Sequence, residues 1–199
     1  MSEPARRRSI LRGVALLARF RREGLAEFAA TPQAFLNSLA PLIAFPLVGA
    51  LLLLGSGAGF GVVLGDMLAT LVALLTPAVV SQALAARWGR GGAWLRYAVA
   101  FNWSQWAVPI VAVGLLFGMG VLRSLGLGER AAAVVVLFAI AAYGMGLHWF
   151  LARRGLGLGW GKAVVMVLAV NLAMAVLVLG PRYLAPPAKS GDSSMFQIR

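Results

Sequence analysis

The sequence predicts an all-α integral membrane protein, a bundle of five transmembrane helices preceded by a basic amphipathic N-terminal helix. Three observations carry this expectation. Hydrophobic residues make up 61% of the 199 positions and charged residues only 12%, and the mean hydropathy is +0.87, which is more apolar surface than a soluble domain of this length buries. Five stretches, about 35–54, 61–84, 98–122, 131–151 and 163–184, reach the roughly 20 residues that a helix needs to cross a hydrocarbon core. The arginines and lysines gather in alternate connections beside those stretches, as the positive-inside rule requires.

Residues 1–30 form a basic segment expected on the cytoplasmic side. At helical spacing Ile10, Val14, Leu17, Leu25 and Phe28 share one face, with Arg12 and Arg19 opposite, the pattern of an amphipathic helix. Arg21 falls on the apolar face, where its long stem can snorkel. Arg12, Arg19, Arg21 and Arg22 interrupt the apolar residues throughout, so the segment lacks the continuous apolar region of a secretory signal and is expected to be retained. Such a helix lies along an anionic inner leaflet, with Arg6, Arg7, Arg8, Arg12, Arg19 and Arg22 against lipid headgroups.

A new helix is expected at Thr31 and Pro32, which suit the N-cap and first-turn positions, and the chain hinges there. Residues 31–185 then form the transmembrane domain. Pro41, Pro46, Pro77 and Pro109 fall inside the spans, where neighbouring helices satisfy the freed carbonyls and a kink results. The run GSGAGFG at 55–61 fits neither Gly-rich phosphate-binding pattern and is expected to be a tight turn. Gly61 with Gly65, and Gly114 with Gly118, put small residues one turn apart, which favours close helix packing. A short polar tail, 186–199, is expected to be disordered on the non-cytoplasmic side.

Orientation follows from charge. With the N-terminus inside, the inner segments hold 13 arginines and lysines and the outer segments 5, the bias expected of an inner membrane protein with its C-terminus outside. All six tryptophans, Trp88, Trp94, Trp103, Trp106, Trp149 and Trp160, lie in or beside the two inner connections, where indole rings suit headgroup depth. The same charge, +12 overall, would suggest nucleic acid in a soluble protein; placed beside apolar spans it points to membrane lipid, and no nucleic-acid partner is expected. The absence of cysteine excludes disulfides, thiolate metal sites and cysteine nucleophiles.

A cytoplasmic N-terminal segment, five closely spaced spans and an outward C-terminus together resemble the Yip1-domain membrane proteins of bacterial type. The local likeness lies in EFAATPQAFLNSLAPLIAFP, residues 27–46, similar to the aromatic, proline, aromatic and apolar helix that bacterial members place before their first span. The DLYGP-type and GY-type sequences of eukaryotic members are not matched by Tyr143-Gly144, so the small-GTPase binding and vesicle trafficking of those relatives are not carried over. The resemblance implies a five-span fold acting as a non-enzymatic scaffold or adaptor.

Polar residues within the spans are the candidate sites, since such groups are costly in lipid without partners. They are Asp66, Asn102, Ser104, Gln105, His148 and Asn171. By helical rise Asn102, Gln105 and His148 lie near the inner ends of their spans and are expected to form one polar cluster. Asp66 lies about 15 Å farther out than His148, which excludes a Ser-His-Asp relay. No G-x-S-x-G or H-E-x-x-H pattern occurs, and one histidine without cysteine does not make a zinc site, so neither catalysis, metal nor cofactor is expected. Two other uses of the fold are a small ion-coupled transporter or channel subunit working through Asp66, and an anionic-lipid-binding module built on the N-terminal arginines. A protein partner or a homo-oligomer accompanies each reading.

Overall fold

The computed structural model describes residues 9–184; Arg6, Arg7, Arg8 and the tail 186–199, singled out above, lie outside them. Within those bounds the chain is all-helical and contains no strand. A short helix α1, Ile10–Ala18, and a 3-10 helix, Arg22–Glu27, precede α2, Pro32–Gly55, α3, Phe60–Arg87, α4, Gly91–Ser104, α5, Ala107–Ser124, α6, Glu129–Gly155, and α7, Trp160–Leu184. With α4 and α5 taken together, five helices are long and apolar enough to cross a membrane.

Their ends follow local chemistry. Thr31 caps α2, its hydroxyl accepting from the Ala34 N–H at 3.2 Å, with Pro32 in the first turn, as the sequence leads one to expect. The run GSGAGFG turns within a few residues, Gly57 taking a φ of 89° between α2 and α3. Pro41, Pro46 and Pro77 remain inside continuous helices.

The third expected span differs: it begins at Gly91 and is divided. α4 stops at Ser104 and α5 starts at Ala107. Pro109 has no N–H to give to the Gln105 carbonyl four residues earlier, and its ring crowds that carbonyl. The backbone tightens instead, Trp106 N–H donating to Trp103 O and Val108 N–H to Gln105 O, both at 3.3 Å, which are bonds of 3-10 spacing.

The N-terminal segment also differs from one continuous amphipathic helix. α1 ends in a Schellman motif: Phe20 N–H donates to Leu17 O at 2.8 Å and Arg21 N–H to Leu16 O at 2.9 Å;. Phe20 occupies the left-handed position of that motif with a φ of 57°, a place where a bulky residue is strained. The chain then folds back, and the apolar face of the segment turns onto the bundle rather than outward. Leu17 and Phe28 are fully or almost fully buried, in one core with residues of α4 and α6.

That core lies at the arginine-rich end. Arg90 approaches Gly157, and the Lys162 ammonium sits 5.9 Å from the centre of the Trp88 ring, so the α3–α4 and α6–α7 connections meet there. Tyr97, Leu151, Leu156 and Met166 are buried around them. Toward the other end burial thins to Val63, Ala132 and Val136, while Phe117 and Phe138 are 79% and 75% exposed. The long helices thus turn large apolar side chains outward, the reverse of a soluble protein's surface.

Candidate functional site

The polar residues of the bundle converge on α4. Its sequence GGAWLRYAVAFNWS carries a donor or acceptor toward each of three neighbouring helices, and three side-chain hydrogen bonds leave it in three directions. Trp94 Nε1 donates to Ser81 Oγ of α3 at 3.0 Å. Tyr97 Oη and His148 Nε2 of α6 lie 3.0 Å apart, both buried. Asn102 Nδ2 donates to Ser38 Oγ of α2 at 2.9 Å. The two serines in turn donate to carbonyls of their own helices, Ser38 to Phe35 O at 2.7 Å and Ser81 to Ala78 O at 3.1 Å, so each hydroxyl both accepts and donates. Ala98 and Ala100 are buried between these positions, small enough to let the helices close on α4.

This arrangement separates residues that helical rise placed at one depth. Asn102 faces α2 and is used up by Ser38, whereas His148 faces Tyr97 and lies against the Phe101 ring, centroids 4.7 Å apart. Position along a helix is readable from the sequence; direction around the helix axis is not. Ser104 is buried and donates to Phe101 O of its own helix at 2.8 Å.

Three of the candidates do come together. Gln105, His148 and Asn171 line a cavity of about 420 Å³ with Pro77, Phe101 and Met145. Its walls come from α3, α4, α5, α6 and α7, and Gln105 stands at the junction of α4 and α5. The Asn171 amide donates to Val167 O at 2.8 Å in its own helix. Two amides and an imidazole, with no carboxylate, lysine or arginine among the lining residues, offer hydrogen bonds without formal charge. Asp66 does not line this cavity. It is exposed on α3, its backbone carbonyl accepting from Thr70 Oγ1 at 2.8 Å.

Glu27 is a site residue that the sequence did not reveal. It is buried, and its carboxylate accepts from the Ser9 N–H at 3.1 Å and lies 3.7 Å from Arg12 Nε. Ser9 Oγ in turn accepts from the Arg12 N–H at 3.4 Å. Together they make a capping box in which the acid is supplied from the 3-10 helix instead of from the first turn. No local spacing could have shown it, because the partner is 18 residues away. The Tyr143 hydroxyl completes the attachment by donating to Ala18 O, the end of α1, at 3.0 Å. Arg19, Arg21 and Arg22 are left exposed on the outside of this cap.

Among the described residues no group of three His, Cys, Asp or Glu side chains is placed to hold a metal ion. Compared with protein-family models, curated proteins and solved structures, the chain matches none of them.

Proposed function

We propose that the chain is a non-enzymatic membrane scaffold or adaptor of a bacterial-type inner membrane, with its N-terminus cytoplasmic and its C-terminus outside. The observation that carries the reading is the fixed cap. α1 and the 3-10 helix are held to the bundle by the buried Leu17 and Phe28 and by the Tyr143 hydrogen bond, while Arg19, Arg21 and Arg22 face outward. Burying two such side chains stabilises the docked arrangement by several kcal/mol in round terms, about 1.5–3 for each. A basic surface held in one geometry loses little entropy when a partner or an anionic leaflet meets it. The five-span layout and its resemblance to Yip1-domain proteins fit the same role, and the charge distribution supports the orientation.

The test is affinity purification from native membranes in mild detergent, comparing the wild type with a triple variant Arg19→Gln, Arg21→Gln, Arg22→Gln. A stoichiometric protein that accompanies the wild type and is lost from the variant supports the scaffold. A protein that purifies alone from both sinks it.

The cavity favours a second reading, binding of a small uncharged polar solute. Gln105, His148 and Asn171 converge where the helix tightens to 3-10 spacing before Pro109, and polar groups gathered within spans mark solute paths in transporters. Solute uptake by vesicles carrying the protein, lost in Gln105→Leu, would favour it over the scaffold. Transport through Asp66 draws no support from its surroundings.

A further inference from the structure

Beside α1 runs an apolar groove of about 700 Å³, separate from the polar cavity. Leu11, Ala15 and Ala18 of α1 form one wall, and Trp106, Ile110 and Val111 form the other. Leu11 is 83% and Ile110 69% exposed, so the groove opens outward along its rim. Arg19 is the one charged residue in its lining. The groove follows α1 from Ile10 to Arg19, about 14 Å, and the first turn of α5 from Ala107 to Val111, about 6 Å;.

We propose that this groove binds one anionic phospholipid, an acyl chain lying along α5 beneath α1 and the phosphate paired with the Arg19 guanidinium. The volume falls in the roughly 300–1,000 Å³ range of specific ligand sites, and its walls suit a hydrocarbon chain. Trp106 supplies a second, independent reason. Its Nε1 is buried and has no acceptor among the described residues, a state that costs free energy. Trp106 lines the groove, so an ester carbonyl of a lipid seated there would give the indole N–H an acceptor if the ring turned toward it. Residues 1–8, MSEPARRR, are mostly polar and poor occupants of apolar walls. The inference shares Arg19 with the scaffold reading but not its test, since Arg21 and Arg22 lie outside the groove lining and lipid labelling is read without a protein partner.

The experiment is photocrosslinking in nanodiscs with phosphatidylglycerol whose acyl chain carries a diazirine, followed by peptide mapping. The wild type is expected to take label in segments 10–19 and 106–111 above the level on the exposed face of α6 around Phe138. Unlabelled phosphatidylglycerol should compete about fivefold better than phosphatidylcholine with the same chains, the preference that one arginine at an anionic surface supplies. Arg19→Gln, an exposed position, should remove that preference and keep the labelling, and Ala15→Phe should reduce the labelling by filling the groove. Even labelling over all outward faces, or equal competition by the two lipids in the wild type, would each overturn the proposal. So would competition by inorganic phosphate as strong as that by the lipid.

Discussion

Tyr97 Oη lies 3.0 Å from His148 Nε2, and this buried contact joins α4 to α6. Which group donates depends on the histidine tautomer, but either way each has the other as a buried partner;. Tyr97→Phe keeps the ring, its stacking on Phe101 at 5.9 Å between centroids and its packing, and removes only the bond. The expected loss is about 0.5–2 kcal/mol, the range of interhelical hydrogen bonds in membranes and of a stranded buried partner. His148→Leu in the Tyr97→Phe background should then cost less than in the wild type, because the partner is already gone. Thermal unfolding in detergent of the two single variants and the double variant checks this, and strictly additive losses would exclude the contact.

Asn102 and Asp66 should part company under the same measurement. Asn102 donates to Ser38 across the α2–α4 interface and is only 7% exposed, so Asn102→Ala removes a bond and leaves the Ser38 hydroxyl without its donor. About 1–2 kcal/mol of stability should go. Asp66 is exposed and its side chain joins no hydrogen bond among the described residues, so Asp66→Asn should change unfolding by less than about 0.5 kcal/mol. A large loss at Asp66 would show that its carboxylate meets a partner beyond the described residues, in the same chain or in a second copy.

Both contrasts mark what the sequence could and could not show. Five span-length helices, the Thr31 cap and the turn at Gly57 were legible because each depends on a run of neighbours: apolar length, an N-cap beside a proline, a cluster of glycines. The pairing of Asn102 with Ser38, 64 positions away, was not, since periodicity gives the face of a helix but not the helix it meets. The split at Gln105 was half legible: Pro109 announced a disturbance, but whether the chain kinks or restarts depends on what packs around it. The N-terminal apolar residues, from Ile10 to Phe28, misled through their helical spacing. A single amphipathic helix accounts for Leu17 and Phe28 on one face equally well, and only the reversal at Phe20 turns that face onto α4 and α6.

That reversal makes Phe20 a position where two effects oppose each other. The left-handed φ of 57° strains any residue with a Cβ by about 1–2 kcal/mol. The ring meets Tyr143 and Phe150 edge-on, with centroids 5.7 Å and 5.6 Å away, contacts worth about 0.5–1.5 kcal/mol each beyond the area they bury. Phe20→Ala loses the contacts and keeps the strain; Phe20→Gly loses both. The cap should therefore loosen more in Phe20→Ala than in Phe20→Gly, with the wild type the most tightly closed. Limited trypsin digestion at Arg19, Arg21 and Arg22 reads the order directly. Faster cleavage of the glycine variant than of the alanine variant would mean that strain at Phe20 is not the deciding term.

The glycines divide in the same way, and not where spacing suggested. A Cβ on Gly24 would come within 2.8 Å of the Gly13 carbonyl oxygen and 2.9 Å of Leu17 Cγ, and a Cβ on Gly13 within 2.7 Å of the Phe28 ring. The pairs Gly61 with Gly65 and Gly114 with Gly118 meet nothing within 4 Å, so within one chain they bring no helices together. Gly24→Ala must push against backbone, and should free the cap at a cost of about 1–3 kcal/mol, the range of overpacked sites. Gly114→Ala and Gly118→Ala should leave the isolated chain unharmed, or raise its stability by up to about 1 kcal/mol through better helix propensity. Those two variants therefore separate a monomer from an oligomer. If they are neutral in detergent and also leave crosslinking between copies in native membranes unchanged, the exposed glycine face meets only lipid. Loss of that crosslinking, with unfolding in detergent unaltered, would place the α5 glycines at a contact between copies, where the absence of a side chain lets two backbones approach.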